Sequence, residues 1–460
     1  MLSYLELKNF KSFSNITFDL RKSRGEPKKL AFIYGENGSG KSSLMLSILF
    51  LTQTLNTLDN QLKLNNLIKI EKDVLSPIED DQIKQDILKQ IFKTQYLSLS
   101  KLIDNYKMIG NPNPMSIKIG FRINESDGSY LMEFSENKII REELRYVINE
   151  REGVIFSLNN SEKILSPTIF FDNDYKNELL DNIEKYWERH TFISILNNEH
   201  NAKNYKYIKK RVSENMFRVL DWLSSISIWC KESRRETAKL AIPMDFMSNL
   251  DYGKIKDKND KELKICEKAL NIFFTQLYSD IKSVNYIFTH EKDEFSYELH
   301  FNKLISGKII SVPISMESTG TQKLIDIFPS LYTSVSGGTV FIDEIDSGIH
   351  DLLMENIVSN IKDSLKGQII LTTHNTLLME SLLPEETYII NVDMNGNKTI
   401  DCVSDYKERT QKNNNIRSKY LKGSYSGIPY TGYFDFQEIV EEVEEAMKAN
   451  LILNKDGTEK

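Results

Sequence analysis

Cysteine is scarce: only 3 occur among 460 residues, Cys230, Cys266 and Cys402, far apart in the chain. That spacing fits no zinc template and suggests no disulfide framework, so a reducing cytoplasmic setting is expected. Long apolar runs are missing too. The longest, Leu44–Leu51, falls far short of the roughly 18–20 residues that cross a bilayer, so no membrane-spanning segment is expected. Met1–Leu20 alternates charge with apolarity in place of a basic start and an apolar block, so no signal peptide is expected. Neither a heptad pattern long enough for a coiled-coil arm nor an internal repeat of roughly 20–50 residues is present. Excess positive charge is lacking as well. Lys plus Arg is 59, Asp plus Glu is 66 and the formal net charge is −7, which argues against nucleic-acid wrapping by overall charge and leaves a local basic patch open.

What the chain does have is buried-strand patterning at its two ends. Tyr4–Leu7 and Ile16–Leu20 are short alternating runs, and Leu30–Tyr34 (LAFIY) is a continuous apolar run suited to a strand covered on both faces. Ser43–Leu51 reads as a helix apolar on nearly every side, placed beneath a sheet. Residues 55–107 are rich in Lys, Gln, Asn and Leu at helical spacing, followed by strand-like Ser116–Ile123, Tyr130–Phe134 and Ile169–Phe171. Residues 176–285 read as mostly helical. Sheet character returns with Phe295–Phe301, Thr339–Ile342, Gln368–Thr372 and Tyr388–Val392, and an acidic helix is expected near Phe434–Ala449. Strands alternating with helices imply a mostly parallel α/β core.

Between the LAFIY strand and the apolar helix lie Gly35, Glu36, Asn37, Gly38, Ser39, Gly40, Lys41 and Ser42, a full match to G-x-x-x-x-G-K-S. Glycines let successive backbone N–H groups turn toward a phosphate, and the following helix adds its positive N-terminal end. Lys41 supplies a point charge for the β and γ phosphates of ATP, and the Ser42 hydroxyl suits Mg²⁺. A strand before and a helix after are the context this motif requires. The second metal anchor is Asp343, at the carboxyl end of the TVFI strand, and Glu344 beside it suits a general base toward water. His374, just past the QIILT strand, suits a γ-phosphate sensor; the alternative is a residue that merely caps the next helix.

These residues resemble those of an ABC-type ATPase head, in the AAA family, of the SMC, Rad, RecF and OLD-like branch. The opening Leu5–Phe13 resembles that branch's first strand and turn, which implies that Lys11 and Ser12 approach the nucleotide along with the loop and Ser43. The segment from Phe341 to His350 resembles the metal-binding strand running into a D-loop, which brings in Asp346. Ser318-Thr319-Gly320-Thr321-Gln322 resembles the ABC signature. Ser318 and Gly320 match it, while Thr319 and Thr321 stand where Gly and Gln or Glu are usual; the alternative is an ordinary N-cap, with Ser318 or Thr319 starting the helix. The resemblance implies an α/β, ABC-type P-loop head, discontinuous, with an inserted mainly helical domain and no long coiled coil. It also implies a slow ATPase that forms an ATP-sandwich homodimer or higher oligomer. The expected divisions are 1–54 and 286–403 for the head, 55–165 for a mixed α/β lobe extension, 166–285 for a helical insertion and 404–460 for the tail.

A finer resemblance is to stand-alone ATPase subunits of bacterial phage-defence operons such as PARIS, Septu and the RloA-like group. It rests on the compact insertion, the ESTGTQK signature and the tail from Tyr420 to Pro429. It implies control of a separate effector, often a nuclease, in response to a phage protein or nucleic acid; a RecF-like role on DNA is the alternative. No strand ending in paired acids is found in 404–460, so a built-in Toprim nuclease is not expected. Asp172-Asn173-Asp174 reads as a strand-ending turn, and the partial zinc-protease string at His290 reads as chance. Lys206, Lys209, Lys210, Arg211, Arg218, Arg234 and Arg235 form a basic stretch, either a solvated face or a ligand surface. The terminal helix places Phe436, Ile439, Val440 and Val443 on one face, for core packing or for partner docking.

Overall fold

Each residue of LAFIY is buried, because strand β3 (Leu30–Tyr34) lies inside a sheet covered on both sides. The computed structural model describes residues 1–74, 97–203, 205–232, 235–240, 247–256, 260–291, 294–406, 415–428, 432 and 434–456. Arg234 and Pro429 lie outside them. The core sheet runs β10 (Arg235–Lys239), β9 (Ile226–Glu232), β15 (Thr339–Ile342), β16 (Gln368–Thr372), β3, β17 (Thr387–Val392), β18 (Lys398–Cys402). From β9 to β17 the pairings are parallel, and both outer strands are antiparallel. Parallel strands share a direction, so the segments after β3, β15 and β16 leave by one edge, where open α/β sheets hold ligands.

A second seven-stranded sheet is antiparallel, in the order β2 (Phe13–Asp19), β1 (Leu2–Phe10), β4 (Met115–Ile123), β5 (Ser126–Phe134), β6 (Ile139–Ile148), β7 (Arg151–Asn159), β8 (Lys163–Leu165). Helix α1 (Lys41–Thr54) lies between the two sheets. Its Leu44–Leu51 stretch is buried on every side and belongs to one core with Leu5, Leu7, Ala31, Ile33, Ile117, Phe134, Phe341 and Ile370. That is the physical reason for an all-round apolar helix. Alternate residues of β3 face opposite ways. Leu30, Phe32 and Tyr34 enter a second core, built with the sheet of β11 (Tyr252–Ile255), β13 (Glu294–Ile305), β12 (Ile281–Glu291) and β14 (Lys308–Pro313). Helices α8 (Lys261–Leu277) and α9 (Thr319–Ser336) pack into that core through Leu270, Phe274, Leu324 and Ile327. Gln368 joins the sheets: its carbonyl accepts from Leu2 N at 2.7 Å, and its amide donates to Leu2 O and Lys28 O, both at 2.8 Å.

The remaining helices of this unit are α2 (Thr57–Val74), α3 (Leu99–Tyr106), α4 (Asn173–Tyr186), α5 (Phe192–Ala202), α6 (Tyr205–Lys209), α7 (Glu214–Ser224), α10 (Asp351–Ser364) and α11 (Ile416–Leu421). Side-chain caps at Asp172, Thr191 and Ser213 fix the starts of α4, α5 and α7. Asp172 is thus a helix cap and Asn173 and Asp174 open α4, where the sequence reads as a strand-ending turn. Three elements differ from the sequence reading. The stretch expected to be mostly helical also carries β9, β10 and β11, and β9 joins the core sheet. Strands β6, β7 and β8 extend the antiparallel sheet. Ile169–Phe171 forms a turn with a single bridge from Phe170 to Val212, since Ile169 and Phe170 serve packing and not a ladder.

The chain divides into two units, 1–427 and 428–460. The second holds α12 (Phe436–Asp456), whose Phe436, Ile439, Val440 and Val443 find no cover within that unit, so they build no core there. No helix among the described residues is long and apolar enough to cross a membrane.

Glu142 on β6 is fully buried and accepts from Tyr130 Oη (2.7 Å), Trp187 Nε1 (3.0 Å), Phe192 N (2.7 Å) and Ile193 N (3.3 Å), which pins β6 to the start of α5. Burial outweighs these donors and pushes its pKa up to about 7 from 4.5. A folded pKa above the unfolded one means the stabilisation is complete below pH 4.5 and is lost as pH rises through 7. Between pH 5 and 8, the stability advantage of wild type over Glu142→Gln is expected to shrink, by up to roughly 3 kcal/mol. Urea denaturation at the two pH values checks this; an advantage that grows with pH contradicts it.

Candidate nucleotide site

The chain leaves β3 and turns through Gly35–Gly40 into α1. Gly40 is the helix N-cap with φ 112° and offers no side-chain acceptor to the first helical N–H groups, which makes this end an anion site. A Cβ on Gly40 would lie 2.6 Å from Phe13 Cζ, so only glycine lets the opening turn press on the loop. Lys41 is buried, and its ammonium donates to Gly35 O (2.7 Å) and Glu36 O (3.0 Å). Burial lowers its pKa, against the pull of Asp343, Glu344, Asp346 and Glu36. Ser42 and Ser43 are half-buried behind it, Asn37 and Gly38 are exposed, and Ser39 is buried.

Strand β15 delivers Asp343 to the same edge, where it is 1% exposed and its N–H donates to Trp229 O at 2.9 Å. Thr372, at the end of β16, ties the acids together. Its hydroxyl donates to Asp343 Oδ1 at 2.5 Å and accepts from Glu344 N at 2.8 Å. Glu344 is thereby held at φ 48°, a left-handed backbone unusual outside glycine. Desolvation raises the Asp343 pKa and Glu344 adds to the rise, while Thr372, Ser42 and Lys41 oppose it. Asp343 Oδ2, Asp346 Oδ1 and Ser39 Oγ are buried without hydrogen-bond partners. Orphaned oxygens beside a free helix N-terminus fit a phosphate and a hard divalent cation, with Ser42 and Asp343 as the protein ligands. Mg²⁺ keeps waters and substrate oxygens, so two protein ligands suffice.

His374 is exposed beyond β16. Partial desolvation and the Lys41 charge lower its pKa, and Asp346, Glu344 and Asp343 pull the other way. The structure therefore gathers Lys41, Ser42, Asp343, Glu344, Asp346 and His374 at one edge. It does not bring the signature there. Ser318 caps α9 by accepting from Thr321 N at 3.2 Å and is exposed. A Cβ on Gly320 would lie 2.5 Å from Gly348 O, so the signature glycine abuts the D-loop of its own chain. Among the described residues, no hydrogen bond joins Ser318 or Gly320 to residues 35–42. Of the opening turn, Lys11 sits 5.1 Å from the centroid of the Tyr106 ring, and Ser12 Oγ accepts from Lys398 at 2.9 Å.

Sequence reasoning missed Thr372, Trp229 and Lys398. A hydroxyl ending an apolar buried strand is a weak signal for Thr372; no motif marks the other two. Elsewhere, Arg211 pairs with Asp172 at 3.4 Å and stacks on Tyr207, and Arg218 pairs with Glu214 at 3.2 Å. Part of the basic stretch is therefore engaged within the protein.

The family described as "AAA domain, putative AbiEii toxin, Type IV TA system" matches residues 30–380. "Retron Vc95 probable ATPase" of Vibrio cholerae serotype O1 biovar El Tor is 24% identical over 403 residues, covering 85% of this chain and 73% of that protein. Solved structures similar to this chain include an SMC head domain from Thermotoga maritima, at 15% identity, 87% and 98% coverage of the two chains and a TM-score of 0.36. Another is an SMC head bound to the C-terminal winged-helix domain of ScpA, at 16% identity, 87% and 97% coverage and a TM-score of 0.42.

Thr372→Val keeps the side-chain shape but strips one hydrogen bond from a buried carboxylate and one from the Glu344 amide. A loss on the order of 2–3 kcal/mol of unfolding free energy is expected, with Thr372→Ser retaining most of the stability. Chemical denaturation of the two variants decides; equal loss in both would rule out the hydroxyl as the cause.

Proposed function

The chain belongs to this AAA-domain family, and on that premise we propose that it binds and hydrolyses ATP as an ABC-type head. In this reading it is the sensor subunit of an anti-phage system and controls a separate toxic effector. The observation that carries the ATPase reading is the convergence of Lys41, Ser42, Asp343, Glu344 and His374 on one edge of the parallel sheet. The defence setting is supported by the retron name of the Vibrio relative and by the toxin–antitoxin wording of the family description. We take 1–54 and 286–403 as the halves of the head, 55–165 as its lobe extension, 166–285 as the insertion that contributes β9, and 404–460 as the tail.

In this mechanism the loop N–H groups and Lys41 bind the phosphates, and Ser42 and Asp343 would hold Mg²⁺, which when bound would supply positive charge against that of the phosphates. Asp343 must be ionised for that role, so its raised pKa makes metal binding weaken as pH falls. Glu344, fixed by Thr372, aligns the attacking water and takes its proton. His374, whose pKa partial desolvation and the Lys41 charge hold below the ordinary imidazole value, offers a ring N–H toward the terminal phosphate. Ser318 is exposed at the start of α9 and, among the described residues, makes no hydrogen bond to its own loop; in this reading Ser318 and Gly320 complete the site of a second copy. Hydrolysis by a lone chain is then slow, and ATP drives head-to-head association.

A second reading, a RecF-like ATPase on DNA, draws on the exposed Lys206, Lys209 and Lys210. The ion pairs of Arg211 and Arg218 weigh against it. Tight, salt-sensitive DNA binding by the isolated protein would favour this reading.

Lys41→Ala is expected to abolish ATP binding. Glu344→Gln is expected to elute as a monomer without ATP and as a dimer or larger species with it, in size exclusion with light scattering. A monomer under both conditions removes the sandwich.

A further inference from the structure

Lys398 opens β18, one of the two outer strands of the core sheet, and no motif draws attention to it. Its ammonium donates to Gly38 O at 2.7 Å, at the exposed tip of the phosphate loop, and to Ser12 Oγ at 2.9 Å, in the opening turn. The Phe13 ring lies beneath it, 5.8 Å from ammonium to centroid. One side chain thus ties three segments that are remote in sequence.

The phosphate loop needs such a tie. Gly35, Gly38 and Gly40 all have positive φ, and ordering a glycine costs more entropy than ordering any other residue. Lys41 holds the Gly35 and Glu36 carbonyls from inside. Within the loop the Gly38–Ser39 peptide is held through its N–H alone, Ser39 N donating to Glu36 O at 3.2 Å, and Lys398 holds its carbonyl from outside. The lysine is half-buried, which lowers its pKa, while Glu36 favours its charged form.

We propose that Lys398 is a positioning residue of the nucleotide site, which preorganises the phosphate loop against the opening turn and places a second cation at the loop's rim for the nucleotide's phosphates. This rests on the ATP reading above and adds to it a residue from the far edge of the sheet. Preorganisation of a binding loop acts on affinity. The reacting end of the site, at Asp343, Glu344 and His374, shares no hydrogen bond with Lys398, so turnover at saturation should be spared.

The test uses the full chain, with Mg·ATP as the probe in calorimetric titration and steady-state hydrolysis. Lys398→Met, which keeps the stem and removes the charge, is expected to raise the ATP Kd and KM about tenfold, with kcat within about twofold of wild type. Lys398→Arg should recover most of the affinity. Ser12→Ala, which removes one of the two ties, should weaken binding less than Lys398→Met. Lys398→Met that binds Mg·ATP like wild type, beside a Lys41→Ala control that does not bind, overturns this inference alone. Wild type that fails to bind Mg·ATP overturns the nucleotide reading and this inference with it. A loss of kcat with unchanged KM assigns Lys398 to another role and likewise overturns it.

Discussion

A carboxylate buried at the end of a strand is costly, and the whole edge of the core sheet is arranged around Asp343. Taking such a group out of water demands hydrogen bonds or a cation in return. Strand β16 supplies one, through Thr372. Strand β9 contributes the carbonyl that holds the Asp343 backbone, and α1 brings Lys41 and Ser42 from the opposite side. The second carboxylate oxygen has no hydrogen-bond partner among the described residues, and this is the feature that fits a divalent cation. Three parallel strands must be in register for these groups to meet, and the pairings of β15 with both β9 and β16 supply that register.

The same demand explains the layered build. Parallel strands need cover on both faces. One cover is α1 with the antiparallel sheet behind it; the other is the second core around α8 and α9. The helix that opens at the phosphate loop is therefore also the central packing element between two sheets, and the helix that opens at Ser318 packs in the opposite layer. Gly320 packs against Gly348, so the turn at Ser318 and the segment after Asp346 are in direct contact. Lys323, further along α9, lies over Trp229 of β9, the residue whose carbonyl holds Asp343. Helix α9 and Asp343 are thus linked within one chain through a short run of packed residues.

Much of this was legible in the sequence where the signal is local. The phosphate loop, the acid pair after TVFI and the histidine after QIILT are contiguous strings whose neighbours announce strand or helix, and all three fall on one edge. What was illegible depends on contacts between distant residues. Thr372 meets Asp343 across 29 positions and Lys398 meets Gly38 across 360, and neither residue type is diagnostic alone. Strand β9 was hidden because ISIWC directly follows α7 and can be read as its continuation. Ile169–Phe171 misled in the other direction: an apolar trio can fill a core from a turn as well as from a strand. The tail from Tyr420 was singled out by its string alone. In the structure Tyr420 and Tyr425 are buried, and Tyr420 packs near Tyr34 of the loop-bearing strand.

The central claim is that each ATP is completed by two chains. It is tested most directly by mixing two variants that are each inactive for different reasons, Lys41→Ala, which lacks the loop lysine, and Ser318→Arg, which lacks a usable signature. In a mixed dimer one site combines an intact loop with an intact signature. Mixing is therefore predicted to restore Mg·ATP hydrolysis that neither variant shows alone, to a fraction of the wild-type rate that rises with protein concentration. Hydrolysis that stays absent in the mixture, or Ser318→Arg that turns over like wild type by itself, contradicts the account.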